Sequence, residues 1–447
     1  MKLETRSWGV LALAIAFGLA LGVRPARAEA PRHMTLEECI AVAEERGPET
    51  RSAEREVDGA SAARSAAFGE LLPRVRLEGN AILWDRPFDV VFAPEGAAAG
   101  PPIRVREGFT WSAQATVLQP VTGLFAIYDE YKLRDFGVDV ARVKRDVARR
   151  DLAFGVAERY LRALEAARLL EVATTSVTQL EAQRTRARAL LDQGIIGKND
   201  LLRAELAVAS AKERAIRTGG EVELARGRLA AAMGLSPSAV LDLAPVGDAP
   251  PPADVGTLAS VETRARAERL ELREVAARTA QADERVATAR KKLVPQVHLV
   301  GNYTHAEGSA FSQKNAAYGG VTASWDVWDW GASWRGIDVA AAQRDTVVLA
   351  RLALERDLAL EARQALVGYQ TARAALEVAE TARAQAEENF RIVSRRFDAA
   401  EATSFDVVDA ESLLTEARAR VETARYGAHL SRLALDRATG ALVPAVR

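Results

Sequence analysis

The chain of 447 residues contains one short segment twice, and this repetition restricts its possible folds more than any other feature. Residues 71–80 read LLPRVRLEGN and residues 293–302 read LVPQVHLVGN, with six identical pairs at an offset of 222. Further along, the offset falls to 206, at which Asp200 pairs with Asp406. The first copy therefore carries 16 extra residues between the two registers. A single insertion of this kind indicates an exposed loop.

Each copy is predicted to run helix, two strands, long helix, short tip and helix. The segment between the copies is rich in proline, which argues against a helix or a central strand there. From the amino terminus, the predicted segments are a signal peptide at 1–28, a first repeat at 29–234 with its hairpin at about 74–120, a linker at 235–257, a second repeat at 258–440 with its hairpin at about 296–328, and a tail at 441–447.

The amino terminus has the pattern of an export signal. Lys2 and Arg6 precede a short apolar run, and Ala26-Arg27-Ala28 then supplies a small-x-small cleavage site. An uncleaved membrane anchor is the alternative, which the shortness of the run disfavours. The formal charge of −1 gives no reason to expect a nucleic-acid partner, and the single Cys39 excludes an internal disulfide.

Both predicted long helices carry a heptad seam in which many residues are alanine. In the second copy, residues recur at spacings of three and four from Ala362 to Phe397, with a charged break at Arg383. The same seam lies 206 residues earlier, from Val156 to Leu191. A helix of about 70 residues would be about 105 Å long, and it needs neighbours along that whole length to bury its seam. The seam alone is also compatible with an ordinary coiled coil.

The residues that follow Pro73 and Pro295 alternate between apolar and polar side chains, and a return segment repeats the pattern in each copy. Pro73 and Pro295 are therefore predicted helix–strand junctions. Each alternation covers about ten residues, the length that a tilted strand needs to cross a bilayer. A soluble half-buried hairpin would alternate too, but two matching hairpins behind an export signal favour membrane strands. Five tryptophans lie near the strands or their ends, as in interface girdles: Trp84, Trp111, Trp325, Trp328 and Trp330.

Four strands cannot close a barrel in a membrane, where about eight is the practical minimum. An open sheet edge in lipid leaves backbone groups without hydrogen bonds, at a cost of several kcal/mol each. The sequence therefore predicts a closed ring of identical chains. Three chains would supply about 12 strands and 12 helical staves, whereas two would close a barrel of about eight strands with little lumen.

In this order, the features resemble the TolC-type outer-membrane efflux family (outer membrane factors). The resemblance covers the chain from Thr35 to Gly440 and is most specific at the two Pro-x-Val-x-Leu-x-Gly junctions and the two tips. It implies a mainly α fold with membrane β: a homotrimer in which a transmembrane β-barrel, with four strands per protomer, continues into a long coiled-coil α-helical barrel. The barrel would lie in the lipid of the outer membrane and the helices in the periplasm.

The resemblance implies a passive, gated exit duct of a tripartite efflux or type I secretion system. Such a duct docks on a periplasmic adaptor (membrane fusion) protein that is coupled to an inner-membrane transporter. A proton-driven pump and an ATP-driven transporter are both compatible with it. The implied adaptor-docking tips are Gly194, Ile195, Ile196 and Gly197 in the first copy, and Ala400, Glu401, Ala402 and Thr403 in the second.

The resemblance further implies a closed resting state and a periplasmic gate. Asp406 and Asp409 match paired aspartates at the narrowest aperture, where three copies would set six carboxylates around one axis. They are also acids at the start of a helix, which the helix dipole favours. Asp200 matches an aspartate of the family's closing link, but Phe397 replaces its tyrosine and Ala402 its arginine. The gate is therefore predicted to be held by packing and by other ion pairs.

No enzyme is expected. The four histidines are scattered, and no metal-spaced Cys/His set, phosphate loop or nucleophile motif is present, so neither a cofactor nor a metal is predicted. His298 and His305 share a hairpin and could at most bind a metal weakly. A periplasmic coiled-coil adaptor or scaffold without a pore is the alternative function. An adaptor has one helical hairpin, whereas this chain repeats the whole unit.

Overall fold

The computed structural model describes residues 33–92, 100–247 and 255–441. The predicted signal peptide lies outside these residues, as do the middle of the linker and most of the predicted tail. In chain order the elements are β1 (His33–Met34), α1 (Leu36–Arg46), α2 (Pro48–Gly69), β2 (Arg74–Leu83), β3 (Phe88–Val90), β4 (Ile103–Pro120), α3 (Gly123–Asp192), α4 (Lys198–Ala232), β5 (Asp242–Leu243), α5 (Leu258–Glu268), α6 (Leu270–Lys291), β6 (Gln296–Ser309), β7 (Asn315–Ser324), α7 (Ala332–Asp398) and α8 (Ser404–Thr439).

The chain is mostly helical, which confirms the predicted class at this level. The helices of the two halves follow the same order and have nearly equal lengths. The helices α1 and α5 have 11 residues each and α2 and α6 have 22 each. The long helices α3 and α7 have 70 and 67 residues, and the helices that follow them have 35 and 36.

Local sequence explains where several helices begin. Thr35 and Glu38 form a capping box at the start of α1, each side chain bonding the other's backbone N–H. Thr257 caps α5 in the same way with its side chain alone. Pro48 opens α2 at a position where its missing N–H costs nothing.

The hairpins form one sheet in the order β2-β4-β6-β7, with β3 paired to β4. All three main pairings are antiparallel. The register places apolar residues of neighbouring strands opposite one another: Val75 lies opposite Val117, and Leu77 lies opposite Ala115. The predicted alternation therefore yields one apolar and one polar face. Pro73 and Pro295 stand immediately before β2 and β6.

The second return strand is shorter than predicted. The sequence pattern extended it to about residue 328, but β7 ends at Ser324. The indole N–H of Trp325 donates to the carbonyl of Leu293 at 3.2 Å, and Asp329 accepts from the backbone N–H of Gly331 and Ser333 to start α7. These contacts turn the chain toward the helix. The short strand β3 was not predicted, because its three residues carry too short a pattern.

The seam predicted on α7 is the side that packs within the protomer. Ala362, Tyr369, Leu376 and Phe397 are buried, whereas Arg383, the charged break, is exposed.

A larger apolar core surrounds Tyr160 on α3, whose hydroxyl lies 2.6 Å from the carbonyl oxygen of Ala244. Within the linker, β5 pairs in parallel with β1. Across the described part of the chain, no helix combines the length and hydropathy of a membrane span.

Candidate functional site

The two faces of the sheet differ in chemistry. On the apolar face, Leu77 and Val321 project with 78% and 66% of their surface exposed. On the other face, polar side chains bond one another: the amide of Asn302 on β6 donates to Thr116 Oγ1 on β4 at 2.9 Å, and Thr304 donates to Asn302 Oδ1 along β6 at 2.9 Å. The sheet therefore has one side suited to an apolar medium and one suited to water.

Both outer strands of the sheet have an open side. Within the described ranges, neither β2 nor β7 has a partner strand on its outer side. The strand β2 is exposed along all ten residues. The helices α2, α3, α6 and α7 contact one another in that order, which repeats the order of the strands. The protomer thus has one free edge at β2 and α2 and another at β7 and α7.

At the far end of the long helices, the first tip joins α3 to α4. The chain leaves α3 through Gly194, whose positive φ of 75° is readily adopted by glycine. The backbone N–H groups of Gly194 and Ile195 donate to the carbonyls of Leu191 and Leu190 at 2.8 and 2.9 Å. Ile195 is half exposed, and Gly197 starts α4 without a side-chain cap.

The second tip has the same hydrogen bonds but different residues. Ala400 takes the left-handed position with φ of 57°, where an alanine is strained. The backbone N–H of Glu401 donates to the carbonyl of Arg396 at 2.8 Å. Thr403 starts α8, and its side chain accepts from the backbone N–H of Asp406. Ala402 is half-buried against the apolar cluster of the tips.

The predicted aperture acids lie on the first turns of the helices that leave the tips. Asp406 accepts from the backbone N–H and the hydroxyl of Thr403, both at 2.8 Å. These hydrogen bonds hold the pKa of Asp406 below its ordinary value. Asp409, one turn later, is exposed, and Asp200 on α4 is half-buried. Asp406 therefore completes the capping box at the start of α8 and stays charged at the tip.

Phe397 is the centre of an apolar cluster that joins both tips. It is 1% exposed and shares the cluster with Ala187, Leu201, Ala204 and Val407. These residues come from α3, α4, α7 and α8. Two polar contacts add to it: Arg186 on α3 lies 3.5 Å from Asp398 on α7, and Ser176 on α3 donates to the buried Glu411 on α8 at 2.6 Å.

A buried ionic cluster lies farther along the helices from the tips. Arg150 donates to both carboxylate oxygens of Glu271 at 3.0 and 2.7 Å, and Arg269 donates to the same oxygens at 2.9 and 3.0 Å. Both guanidinium groups are almost fully buried. Burial would raise the pKa of Glu271, but the hydrogen bonds from Arg150 and the charge of Arg269 outweigh it and lower the pKa to about 2.

The cluster extends to the other helices of the protomer. Arg269 also donates to Glu361 on α7 at 3.0 Å and to the carbonyl of Arg437 on α8 at 3.1 Å. Asp151 on α3 accepts from both Arg150 and Arg437. The cluster therefore joins α3, α6, α7 and α8. Sequence reasoning missed it, because these residues belong to no seam and the contacts that join the helices link residues at least 92 positions apart.

The two hairpin histidines lie seven positions apart on β6, so their side chains belong to opposite faces of the sheet. His305 Nδ1 lies 2.7 Å from the side-chain oxygen of Asn315, and its ring packs against Trp111. His298 lies on the polar face near the helices. In the part of the chain that the structure describes, no group of three or more His, Cys, Asp or Glu is placed to hold a metal ion.

Comparison with known proteins gives two kinds of match. Residues 262–441 match the family described as outer membrane efflux protein. No curated protein sequence matches the chain. Several solved outer-membrane proteins are similar in fold. The outer membrane channel CmeC of Campylobacter jejuni is 14% identical over 92% of this chain and 87% of its own, with a TM-score of 0.76. The outer membrane protein VceC of Vibrio cholerae is 16% identical over 91% and 96% with a TM-score of 0.74, and the outer membrane channel MtrE of Neisseria gonorrhoeae is 17% identical over 92% and 90% with a TM-score of 0.73.

Proposed function

With residues 262–441 in the outer membrane efflux protein family, and with a fold shared with outer-membrane channels, we propose that three copies of this chain form an outer-membrane exit duct. Each copy would supply four strands to a barrel in the outer membrane and four helices to a tunnel in the periplasm. The chain would catalyse no reaction and would need no cofactor. Substrates would pass through it passively once its tips are open.

The open sheet edges are the observation that carries this proposal. The strands β2 and β7 each pair on one side only, and the apolar face between them is exposed. In lipid, an unpaired edge costs several kcal/mol for each unsatisfied backbone group. Pairing β2 of one copy with β7 of the next removes every edge at once, and the neighbouring α2 and α7 would meet below. Three copies leave a wider lumen than two.

The tips support a gate held closed by packing. Phe397 fills the shared cluster and has no hydroxyl with which to form the family's closing link. The Arg186–Asp398 ion pair and the Ser176–Glu411 hydrogen bond then hold α7 and α8 against α3. Asp406 and Asp409 would form the acidic ring at the aperture, together with Asp200 on the neighbouring helix. Repulsion among these carboxylates would favour opening once the packing is released.

The same tips are proposed to dock on a periplasmic adaptor protein that is coupled to an inner-membrane transporter. Ile195, Ile196 and Gly197 on one tip, and Glu401 and Thr403 on the other, are at the end farthest from the sheet. A scaffold without a pore is the competing function. It does not account for a sheet that exposes an entire apolar face and leaves both edges unpaired.

Single-channel recording tests the duct and its gate together. The mature protein, reconstituted in a planar bilayer, is expected to conduct with a small closed-state current. Phe397→Ala removes the centre of the tip cluster, a truncation that costs about 3–5 kcal/mol in a core, so the closed-state current should rise. Phe405→Ala removes an exposed ring of the same tip and is the matched control.

A current in Phe397→Ala no larger than that in Phe405→Ala would contradict the packed gate. The variant Phe397→Tyr adds a second comparison. Its new hydroxyl in a buried apolar cluster should also change the closed-state current more than a distant control substitution does. The absence of any conductance in all variants would contradict the duct itself.

A further inference from the structure

A groove between the end of α6 and the first turns of α7 combines aromatic and basic side chains. Its volume is about 750 Å³, and its lining includes Leu293, Trp330, Trp334, Arg290 and Arg335. It lies where the sheet meets the helices, since α6 leads directly into β6 and β7 leads directly into α7. No part of the proposed conduction pathway or of the tips uses it.

The tryptophans around this groove are turned into solvent. Trp330 is 88% exposed although its backbone has a positive φ of 56°, a conformation that bulky residues rarely adopt. Its ring contacts Trp328 edge to face, with 5.7 Å between centroids. Water does not favour such an arrangement, whereas an apolar medium around the rings would.

The groove is continuous with the apolar face of the sheet. Trp325 extends the apolar row that includes Val321, and its indole N–H is bonded to the carbonyl of Leu293, which lines the groove. Indole rings favour the headgroup level of a bilayer, where the ring is in apolar surroundings and the N–H is near water. The groove therefore stands at the level where lipid headgroups would meet the protein.

The basic side chains give the groove an unbalanced positive charge. Arg335 is paired with Asp338 at 3.2 Å. Arg290, in contrast, has no ion-pair partner among the residues that the structure describes, and Lys292 lies two positions beyond it. A free guanidinium beside apolar rings is suited to a phosphate group, which it can bind through two parallel hydrogen bonds.

We propose that this groove binds the headgroup phosphate of an anionic phospholipid from the membrane leaflet that faces the periplasm. Arg290 would bind the phosphate with the guanidinium of Arg335 beside it, and Trp330 and Trp334 would contact the glycerol and upper acyl chains. The inference rests on the proposed function, which sets the sheet in the membrane. A second copy of the chain is a less suitable occupant, because α6 and α7 belong to one protomer and the free edge lies beyond α7.

Native mass spectrometry of the mature protein in a neutral detergent tests the inference. Dioleoyl-phosphatidylglycerol and dioleoyl-phosphatidylcholine are added at equal concentrations, and the retained lipids are counted. We expect the anionic lipid to be retained more strongly, and Arg290→Gln to weaken its retention by about fivefold, as for one basic residue at an anionic surface. The double variant Arg290→Gln with Arg335→Gln should remove the preference. Arg285→Gln, on the same helix and also exposed, is the matched control and should behave as the wild type does.

Equal retention of both lipids, or a preference that Arg290→Gln leaves unchanged, would overturn the inference. If the double variant instead weakened the oligomer and left lipid retention intact, the groove would be a contact between copies and the inference would be wrong. An oligomer that conducts but shows no lipid preference contradicts this inference and leaves the duct standing. A water-soluble monomer that retains neither lipid contradicts both.

Discussion

The two long helices, α3 and α7, have nearly the same length and the same seam pattern, but their surroundings differ. Within the protomer, α3 packs extensively against α1, α2, α4, α6 and α8, whereas the extensive contacts of α7 are with α5, α6 and α8. Buried residues extend along α3 from Asp129 to Ala187, but the first buried residue of α7 is Leu358. Before that point α7 exposes the apolar side chains of Val339 and Leu349.

This contrast indicates that the apolar residues of the two long helices are buried by different partners. The seam of α3 is buried by the protomer's own helices, so it contributes to the folding of a single chain. The first part of α7 has one neighbour and one open side. If another copy covers that side, the apolar residues there contribute to assembly and not to the fold of the protomer.

The largest expected effect separates these two roles. Val156→Asp puts an unpaired charge in the core around α3 and should destabilise the protomer by at least about 3 kcal/mol, so that little folded protein is recovered. Leu349→Asp should leave the helical content unchanged and abolish the oligomer. Circular dichroism and size-exclusion chromatography in detergent measure both. If Leu349→Asp keeps the oligomer intact, the open side of α7 is not the contact between copies.

A second expected effect concerns a pair of arginines at the same position of the two repeats. Arg150 on α3 is buried in the ionic cluster, whereas Arg356, 206 residues later on α7, is exposed. Arg150→Met leaves Glu271 short of a partner and should lower the free energy of unfolding by about 3 kcal/mol. Arg356→Met should change it by no more than about 0.5 kcal/mol. Guanidinium unfolding followed by circular dichroism compares the two, and equal effects would contradict a structural role for the cluster.

The ionic cluster also predicts the response to acid. The pKa of Glu271 is about 2 in the folded chain and ordinarily 4.5. Because the folded value is the lower one, the stability that this carboxylate contributes is complete above its ordinary pKa and is lost as the pH falls toward 2. Unfolding midpoints measured between pH 5 and pH 2 should fall less steeply in Glu271→Gln than in the wild type. The reason is that the variant takes up about one proton fewer than the wild type when it unfolds in this range. Parallel curves would contradict the assigned protonation state.

The smallest expected effect is at the tips, where the two repeats differ by one residue in the left-handed position. Ala400→Gly should stabilise the second tip and Gly194→Ala should destabilise the first, each by up to about 1 kcal/mol. A side chain at position 194 would meet no atom within 4 Å, so strain alone decides the result. Amide hydrogen exchange in the last turns of α7 and α3 measures the change, and opposite signs are required.

The sequence predicted those parts of the molecule that follow from local pattern. The seam from Ala362 to Phe397 faces inward because a period of 3.5 sets one side of a helix, and Pro73 and Pro295 stand before strands because proline ends the preceding helix. The Arg150–Glu271 cluster and the β1–β5 pair join residues far apart in the chain and leave no periodic signal. The strained Ala400 was also unpredictable, since only Gly194 carries the residue type that such a turn favours.

The central claim is that one protomer has two free edges that only identical copies can close. Native mass spectrometry of the mature chain, extracted from outer membranes in a mild detergent, tests this claim most directly. The account predicts a complex of three chains that persists in detergent or lipid. A monodisperse, water-soluble monomer without affinity for detergent or lipid would contradict it.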